Sequence, residues 1–314
     1  VQGGFSNGAS AAGVKLYLTD KASGQKIWEG EFPDVGELNL PIPNVPYTVT
    51  FDANGGAYPD SSTAVSKNAL HGTKVSAPDP RPVKQGFGVT GWYKDKACSA
   101  GQAWNFATDT VTGDIRLYAQ WTANTYAVTF SVPEGNGSLT ATPAGGSENT
   151  TGSVQVEHGT QVNFTATPSD PTRYKVGDWT CTASEGFTGE SGNSTAALTV
   201  KANTTVTVKF YQPEITGTAG STTAWSDFLR MVKDAPAGAT LTISGTIQAT
   251  NDAGNSGEII IEKNLTIKGK TGAASDILDA NSNGTDHPAT PHRIFKVTAG
   301  TLTLENLTLK NGKV

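Results

Sequence analysis

Charge is scarce in this 314-residue sequence: Asp, Glu, Lys and Arg make up 16%, well under the quarter usual for a soluble domain. The balance is slightly acidic, 23 Lys and Arg against 28 Asp and Glu. The basic residues do not cluster; the densest stretch, Lys74 to Lys96, is broken by Asp79 and Asp95. A nucleic-acid partner needs clustered cations to replace phosphate counterions, so none is expected. Long apolar runs are missing too, and with them any membrane-inserting helix in this sequence. The start, Val1-Gln2-Gly3-Gly4, has neither the charged nor the apolar region of an export signal; an exported protein would already have shed it. The end, Leu309-Lys310-Asn311-Gly312-Lys313-Val314, stops in mid-pattern, so a longer chain is expected.

Cysteine is nearly absent. Cys98 and Cys181 fall in what read as separate repeats, so two free, largely buried thiols are expected rather than one bridge. Nucleophile and phosphate signatures are lacking: no Gly-x-Ser-x-Gly, no Cys near a suitable His, no Gly-rich loop opening a helix. The reading therefore assigns no catalytic, cofactor-binding or metal-binding residue, and no cofactor.

What is present is Thr, Ser, Val and Gly, with 36 Gly and 16 Pro. Thr-Val alternation favours strands, because β-branched side chains suit a pleated, half-buried surface. Internal similarity organises the chain. Tyr47-Thr48-Val49-Thr50-Phe51 recurs as Tyr126-Ala127-Val128-Thr129-Phe130, and each is followed by a Gly-rich turn of the kind tight hairpins use, at 52–56 and 133–137. His71-Gly72-Thr73 recurs as His158-Gly159-Thr160; both lead to a Trp, Trp92 and Trp179, and both units close on a strand, Asp114 to Trp121 and Thr204 to Phe210. Residues 47–123 and 124–212 thus read as two repeats of about 80 residues each, a domain-sized length.

Four ordered segments of the first repeat, Val49-Thr50-Phe51-Asp52-Ala53-Asn54-Gly55-Gly56, Gly91-Trp92-Tyr93-Lys94-Asp95, Trp104-Asn105-Phe106 and Leu117-Tyr118-Ala119-Gln120-Trp121, resemble the internalin-type B repeat, also called the Listeria–Bacteroides repeat. Gly86-Phe87-Gly88-Val89 departs from the family's Gly-Tyr-x-Phe, and Gly88 is expected to weaken the strand. Residues 124–212 resemble a divergent copy that lacks the Leu-Tyr-Ala-x-Trp ending. The resemblance implies a small β-grasp-like fold and a spacer or ligand-presenting role in bacterial surface proteins. Read from the residues alone, Trp92, Tyr93, Trp104, Phe106, Leu117, Tyr118 and Trp121 are a core, since so short a domain must fill its interior with large aromatics. A sugar-binding aromatic platform is the alternative, and the core explains the spacing without it.

Residues 1–46 read as a short β cap or the remnant of a preceding module, with strands near 14–19, 25–30 and 37–40 and a turn at 21–24. After Phe210, residues 211–221 read as a linker. A helix follows over 225–235, capped by Ser221, Thr222 or Thr223, with Trp225, Phe228, Leu229 and Val232 on one face. Short aliphatic-Thr-aliphatic strands come next, at 239–247, 259–261, 265–269, 295–297, 302–304 and 307–309. Strands so short need stacking neighbours. Residues 213–314 resemble the helix-capped N-terminal coils of a pectate-lyase-like right-handed parallel β-helix, as in large bacterial adhesins. The loop 276–287, with Asp276, Asp279, Asn281, Asn283 and Asp286, could offer oxygens to Ca²⁺, but its spacing is not that of a calcium loop and Asp and Asn equally serve turns. His71 and His158 read as structural, and His287 and His292 lack the further ligands a zinc site needs.

The expected fold is therefore all-β and multi-domain: small β-grasp-like modules, then the start of a right-handed parallel β-helix with an N-terminal capping helix. The expected function is that of a non-catalytic, monomeric, extracellular or cell-surface protein whose repeats space an adhesive head from the cell. Its partner would be a host or matrix protein or a glycan. The alternative is an extracellular polysaccharide lyase or glycoside hydrolase with its active coils beyond residue 314.

Overall fold

The computed structural model describes residues 46–281, 288 and 292–313, together with the backbone of two strands, β1 (Lys15–Thr19) and β2 (Lys26–Glu31). These two pair antiparallel, Lys15 opposite Glu31. The turn at 21–24 and the third strand expected at 37–40 lie outside the described residues. The chain divides into two compact units, Val1–Ala123 and Asn124–Val314.

In the first unit, β3 (Pro46–Asp52), β4 (Ala64–Leu70), β5 (Phe87–Tyr93) and β6 (Ile115–Ala123) form one sheet in the order β4-β3-β6-β5. The central strands β3 and β6 are parallel and both outer pairs antiparallel. The two-residue period of a strand sends Val49, Phe51, Trp92, Leu117 and Ala119 to the buried face. Among the described side chains, none from a second sheet covers that face. Irregular segments supply Tyr58, Val75, Trp104 and Val111 instead, with Phe106 and Trp121 packed alongside. Tyr93 and Tyr118 depart from the expected core: each follows a buried residue, so it turns to the other face, where the two lie opposite each other across β5 and β6.

The Asn54-Gly55-Gly56 motif has a definite mechanical role. Asn54 and Gly55 take left-handed φ values of 47° and 91°. A side chain at Gly56 would sit 2.4 Å from the ring of Trp121, whose indole N–H donates to Ala53 O at 2.8 Å. The Gly-Gly turn and the closing Trp thus form one lock.

The second unit opens with β7 (Thr125–Ser131), β8 (Gly137–Pro143), β9 (Ser153–Glu157), β10 (Gln161–Pro168), β11 (Lys175–Cys181), β12 (Thr195–Thr199) and β13 (Thr204–Tyr211). Four of these reproduce the first sheet in the order β11-β13-β7-β9, again with a parallel central pair. The other three form a second sheet, β12-β10-β8, and the core lies between the two. The turn at 133–137 is therefore not a hairpin turn. It carries the chain from β7 in one sheet to β8 in the other, because β8 finds its ladder on β10.

The presumed linker also proves to be structured. Within it, β14 (Glu214–Gly217) pairs in parallel with β15 (Thr240–Gln248). Between them runs α1 (Ala224–Asp234), which sends Trp225, Phe228, Met231 and Val232 into the core. Neither Thr223 nor Thr222 caps it through a side chain: Asn255 Oδ1 accepts from the N–H groups of Trp225 and Ser226 at 2.9 and 3.0 Å, while Ser221 Oγ accepts from Ala224 N. The cap comes from 30 residues away, beyond the reach of a local motif.

The remaining strands are β16 (Ile259–Ile261), β17 (Leu265–Gly269), β18 (Ile277–Asp279), β19 (Phe295–Val297), β20 (Leu302–Glu305) and β21 (Thr308–Lys310). They make a curled parallel sheet of three ladders: β15-β17-β20, β15-β18-β21 and β16-β19. β15 serves two ladders because it bends at Gly245, whose φ is +76°. Residues 277–279, read from sequence as part of a loop, are strand β18, whose buried Leu278 stacks between Ile247 and Leu309.

Candidate functional site

The residues singled out in the sequence fall mainly into structural roles. His71 and His158 pack on Tyr47 and Tyr126 at ring distances of 5.8 and 6.0 Å, so each His-Gly-Thr turn is pinned to the opening strand of its repeat. His292 has both ring nitrogens engaged, Nε2 with Gly257 N and Nδ1 with Arg293 O, and lies 5.6 Å from the ring of Trp225; His287 is outside the described residues. Cys98 and Cys181 are free and half-buried rather than fully enclosed, and burial raises both thiol pKa values.

The described carboxylates of the 276–287 segment face donors. Asp276 is fully buried and accepts from Gly245 N, Thr271 N, Thr271 Oγ1 and Gly272 N at 2.6–2.9 Å. Burial alone would raise its pKa, but these bonds hold it down at about 2. Asp279 accepts from Asn281 N, Asn311 Nδ2 and Gln248 Nε2. Both residues tie the corners of neighbouring coils, and residues 282–287 lie outside the described part.

Two concavities were not foreseen from sequence. One, of about 520 Å³, opens on the first repeat between β5 and the segments at 77–81 and 104–107, lined by Trp92, Trp104, Phe106, Val89, Arg81 and Asn105. The other, of about 240 Å³, lies in the second unit between the second repeat and α1; Glu134, Asn136 and Tyr174 face Arg230 and Asp234 across it. There burial, then the neighbouring Glu134, raises the Asp234 carboxyl above its ordinary range, against the pull of Lys209 and Lys233. Lys209 pairs with Glu134 at 3.4 Å, and Lys263 donates to Lys233 O at the end of α1. The first pair lies within the second repeat, and the second bond ties the end of α1 to the segment between β16 and β17. No local pattern could have marked Asp234, because its burial is created by the contact itself.

Among the described residues no cluster of three His, Cys, Asp or Glu is placed to hold a metal. The outward positions of the curled sheet carry Thr240, Thr266 and Thr303 in one row and Thr242, Lys268 and Glu305 in the next. The two units thus present an all-β architecture of repeated modules and a parallel stack, with concavities on its surface.

Comparison with known proteins finds partial matches. Residues 47–120 match the Listeria-Bacteroides repeat domain. The chain is 43% identical over 91 residues to a protein of Evansella cellulosilytica provisionally described as a Gly-rich membrane protein; the match covers 29% of this chain and 9% of that protein. A second protein of the same organism, provisionally described as a membrane protein, is 39% identical over 90 residues, 29% of this chain and 12% of its own length. Internalin H of Listeria monocytogenes is 38% identical over 101 residues, which covers 32% of this chain and 16% of that protein. The match thus spans well under a fifth of each relative. Among the described residues no helix is long and apolar enough to cross a membrane.

Proposed function

We propose that this chain is a stretch of a non-catalytic bacterial surface protein in which small β modules act as a stalk and the parallel stack begins an adhesive head. The observation that carries the reading is the match of residues 47–120 to the Listeria-Bacteroides repeat domain, beside the partial similarity to Internalin H and to two proteins described as membrane proteins. The modules suit a stalk: each repeat has a separate core. Their common sheet, with two parallel central strands flanked by antiparallel ones, has the strand arrangement of a β-grasp sheet, with an irregular segment at 71–86 where that fold carries its helix.

The head is read as the start of a parallel β-helix from its burial gradient. Along one inward row, Leu241 and Ile267 are 0% exposed and Leu304 is 38%. Along another, Ile247 and Leu278 are 0% and Leu309 is 43%; along the third, Ile261 is 0% and Val297 50%. The same face is dry in the lower coils and wet in the last. Burying an aliphatic side chain of this size stabilises by about 1.5–3 kcal/mol, so further coils stacked on these three residues would recover much of that. α1 covers the opposite end, its apolar face in the same core as β15 and β16.

Antibodies against residues 47–123 test the surface reading on bacteria that make the protein. Labelling of intact cells is expected; labelling only after lysis contradicts it. A panel of immobilised glycans and matrix proteins then tests the adhesive part, with retention of at least one expected.

A further inference from the structure

We propose that the groove of the first repeat binds an acidic sugar residue, with the carboxylate at Arg81 and the ring over the aromatic floor. The proposal deepens the adhesive reading and rests on its surface location, but moves a binding role from the head into the stalk.

The groove exists because of how this repeat closes its core. Val49, Phe51 and Trp92 correspond to Val128, Phe130 and Trp179 of the second repeat, whose face is roofed by the sheet β12-β10-β8. In the first repeat the same face is closed by loops, and a space of about 520 Å³ remains beside Trp92, Trp104 and Phe106, large enough for one or two sugar rings. Aromatic faces accept the C–H side of a sugar ring and leave its hydroxyls to polar groups at the rim.

The free polar groups there are donors. Arg81 is exposed and makes no ion pair among the described residues, although the acidic Asp79 lies two positions away. Trp104, which lines the groove, is 7% exposed and its buried indole N–H has no acceptor, a costly state unless something fills it. Asn105, which lines the groove, already accepts at Oδ1 from Ala107 N, so the side chain's remaining hydrogen-bonding groups are the two amide N–H donors. The one hydroxyl nearby, Thr90, is tied into Gln120 and Thr122. Donors without acceptors select a ligand rich in acceptors and negative in charge. Lys94, 5.5 Å over the Trp104 ring, adds positive potential, partly offset by Asp109 at 3.7 Å.

A peptide is the poorer fit. Extended peptides gain affinity by adding to a free strand edge. The β5 edge is taken: Trp104 N donates to Trp92 O at 2.7 Å and Lys94 N to Gln102 O at 2.8 Å.

The test is calorimetric titration of the 314-residue protein with a glucuronate-containing tetrasaccharide, a neutral glucose tetrasaccharide and an oligo-glutamate peptide. Binding of the acidic sugar alone is expected. Arg81→Gln should weaken it about tenfold, the loss of one charge-assisted contact. Trp104→Phe keeps an aromatic face but removes the N–H and part of the buried ring system; it should weaken binding about fivefold and also lower the melting temperature, because buried surface is lost. Arg173→Gln in the second repeat should leave binding unchanged. Equal binding of the neutral sugar, tighter binding of the peptide, or indifference to Arg81→Gln overturns the proposal. Absence of acidic-sugar binding by a protein that labels intact cells sinks this inference alone; binding by a protein that never reaches the surface sinks the surface reading alone.

Discussion

The two repeats carry the same four-stranded sheet and finish it in different ways. In the second, Phe164 of β10 packs on Phe130 at 6.2 Å from within a regular second sheet. In the first, Phe106 stacks on Phe51 at 6.3 Å from an irregular segment. Where a second sheet supplies aliphatic rows, four buried aromatics, Phe130, Phe164, Trp179 and Phe210, sit among twelve Val, Leu and Ala. Where loops do the covering, four buried aromatics, Phe51, Tyr58, Trp92 and Trp104, sit among only six aliphatic residues. A loop offers few side chains per turn of backbone, so each must be large. The difference shows that the opening and closing strands specify the sheet, while the residues between them choose its cover and decide whether a groove remains.

The largest effect that sharpens this contrast is a paired truncation. Phe164→Ala removes a fully buried ring and should cost about 3–5 kcal/mol, whereas Phe106→Ala, half-buried on an adaptable loop, should cost about 1–2. Denaturant titrations of the intact chain with mass-spectrometric hydrogen exchange assign each loss to its unit. Equal costs would mean that the loop cover packs as firmly as the sheet.

Next in size is an acid effect. Every buried charged side chain among the described residues, Asp234, Asp276 and Asp279, lies in the second unit. Asp276 has a depressed pKa, so it contributes stability above its unfolded value near 3.8 that is lost as pH falls through about 2. The second unit should therefore weaken more than the first between about pH 4 and pH 2. Asp276→Asn should cost about 2 kcal/mol at neutral pH, since an amide cannot accept all four bonds, and should flatten that decline. A melting curve of the variant with the same acid slope would contradict the assignment.

The smallest effect has the opposite sign. Asp234 is held protonated more readily than usual, so its stabilising contribution is present below pH 3.8 and lost as pH rises through its raised pKa. Asp234→Asn should raise second-unit stability near neutral pH by less than about 1 kcal/mol, an amide being free of the repulsion from Glu134. A loss of stability would show that the ionised carboxylate, paired with Lys209 and Lys233, fastens α1 instead.

Much of this was legible in the chain before any coordinates. The recurrence of Tyr-x-Val-Thr-Phe and His-Gly-Thr marked the opening strand and the pinned turn of each four-stranded sheet, because each pattern serves a local need. The aliphatic triplets marked the ladders, since stacking imposes the same inward residue on every coil. What stayed hidden was non-local. The roof β12-β10-β8 is assembled from strands no stronger in pattern than those of the first sheet. Residues 214–217 looked like a linker because Gly217, which a side chain would drive into Thr246 O at 2.4 Å, reads as a breaker unless the neighbouring coil is known. The groove left no sequence signal beyond Pro80-Arg81-Pro82, and the Asn255 cap none at all.

The most direct test of the account is residue-resolved amide exchange on the intact protein. The central strands β3, β6, β7 and β13 should be slow in both units. β8, β10 and β12 should be nearly as slow, while the loops covering the first repeat, 71–86 and 94–114, exchange much faster. Protection of those loops equal to that of β10 would mean that the first repeat is roofed as tightly as the second, and the contrast between them would fall.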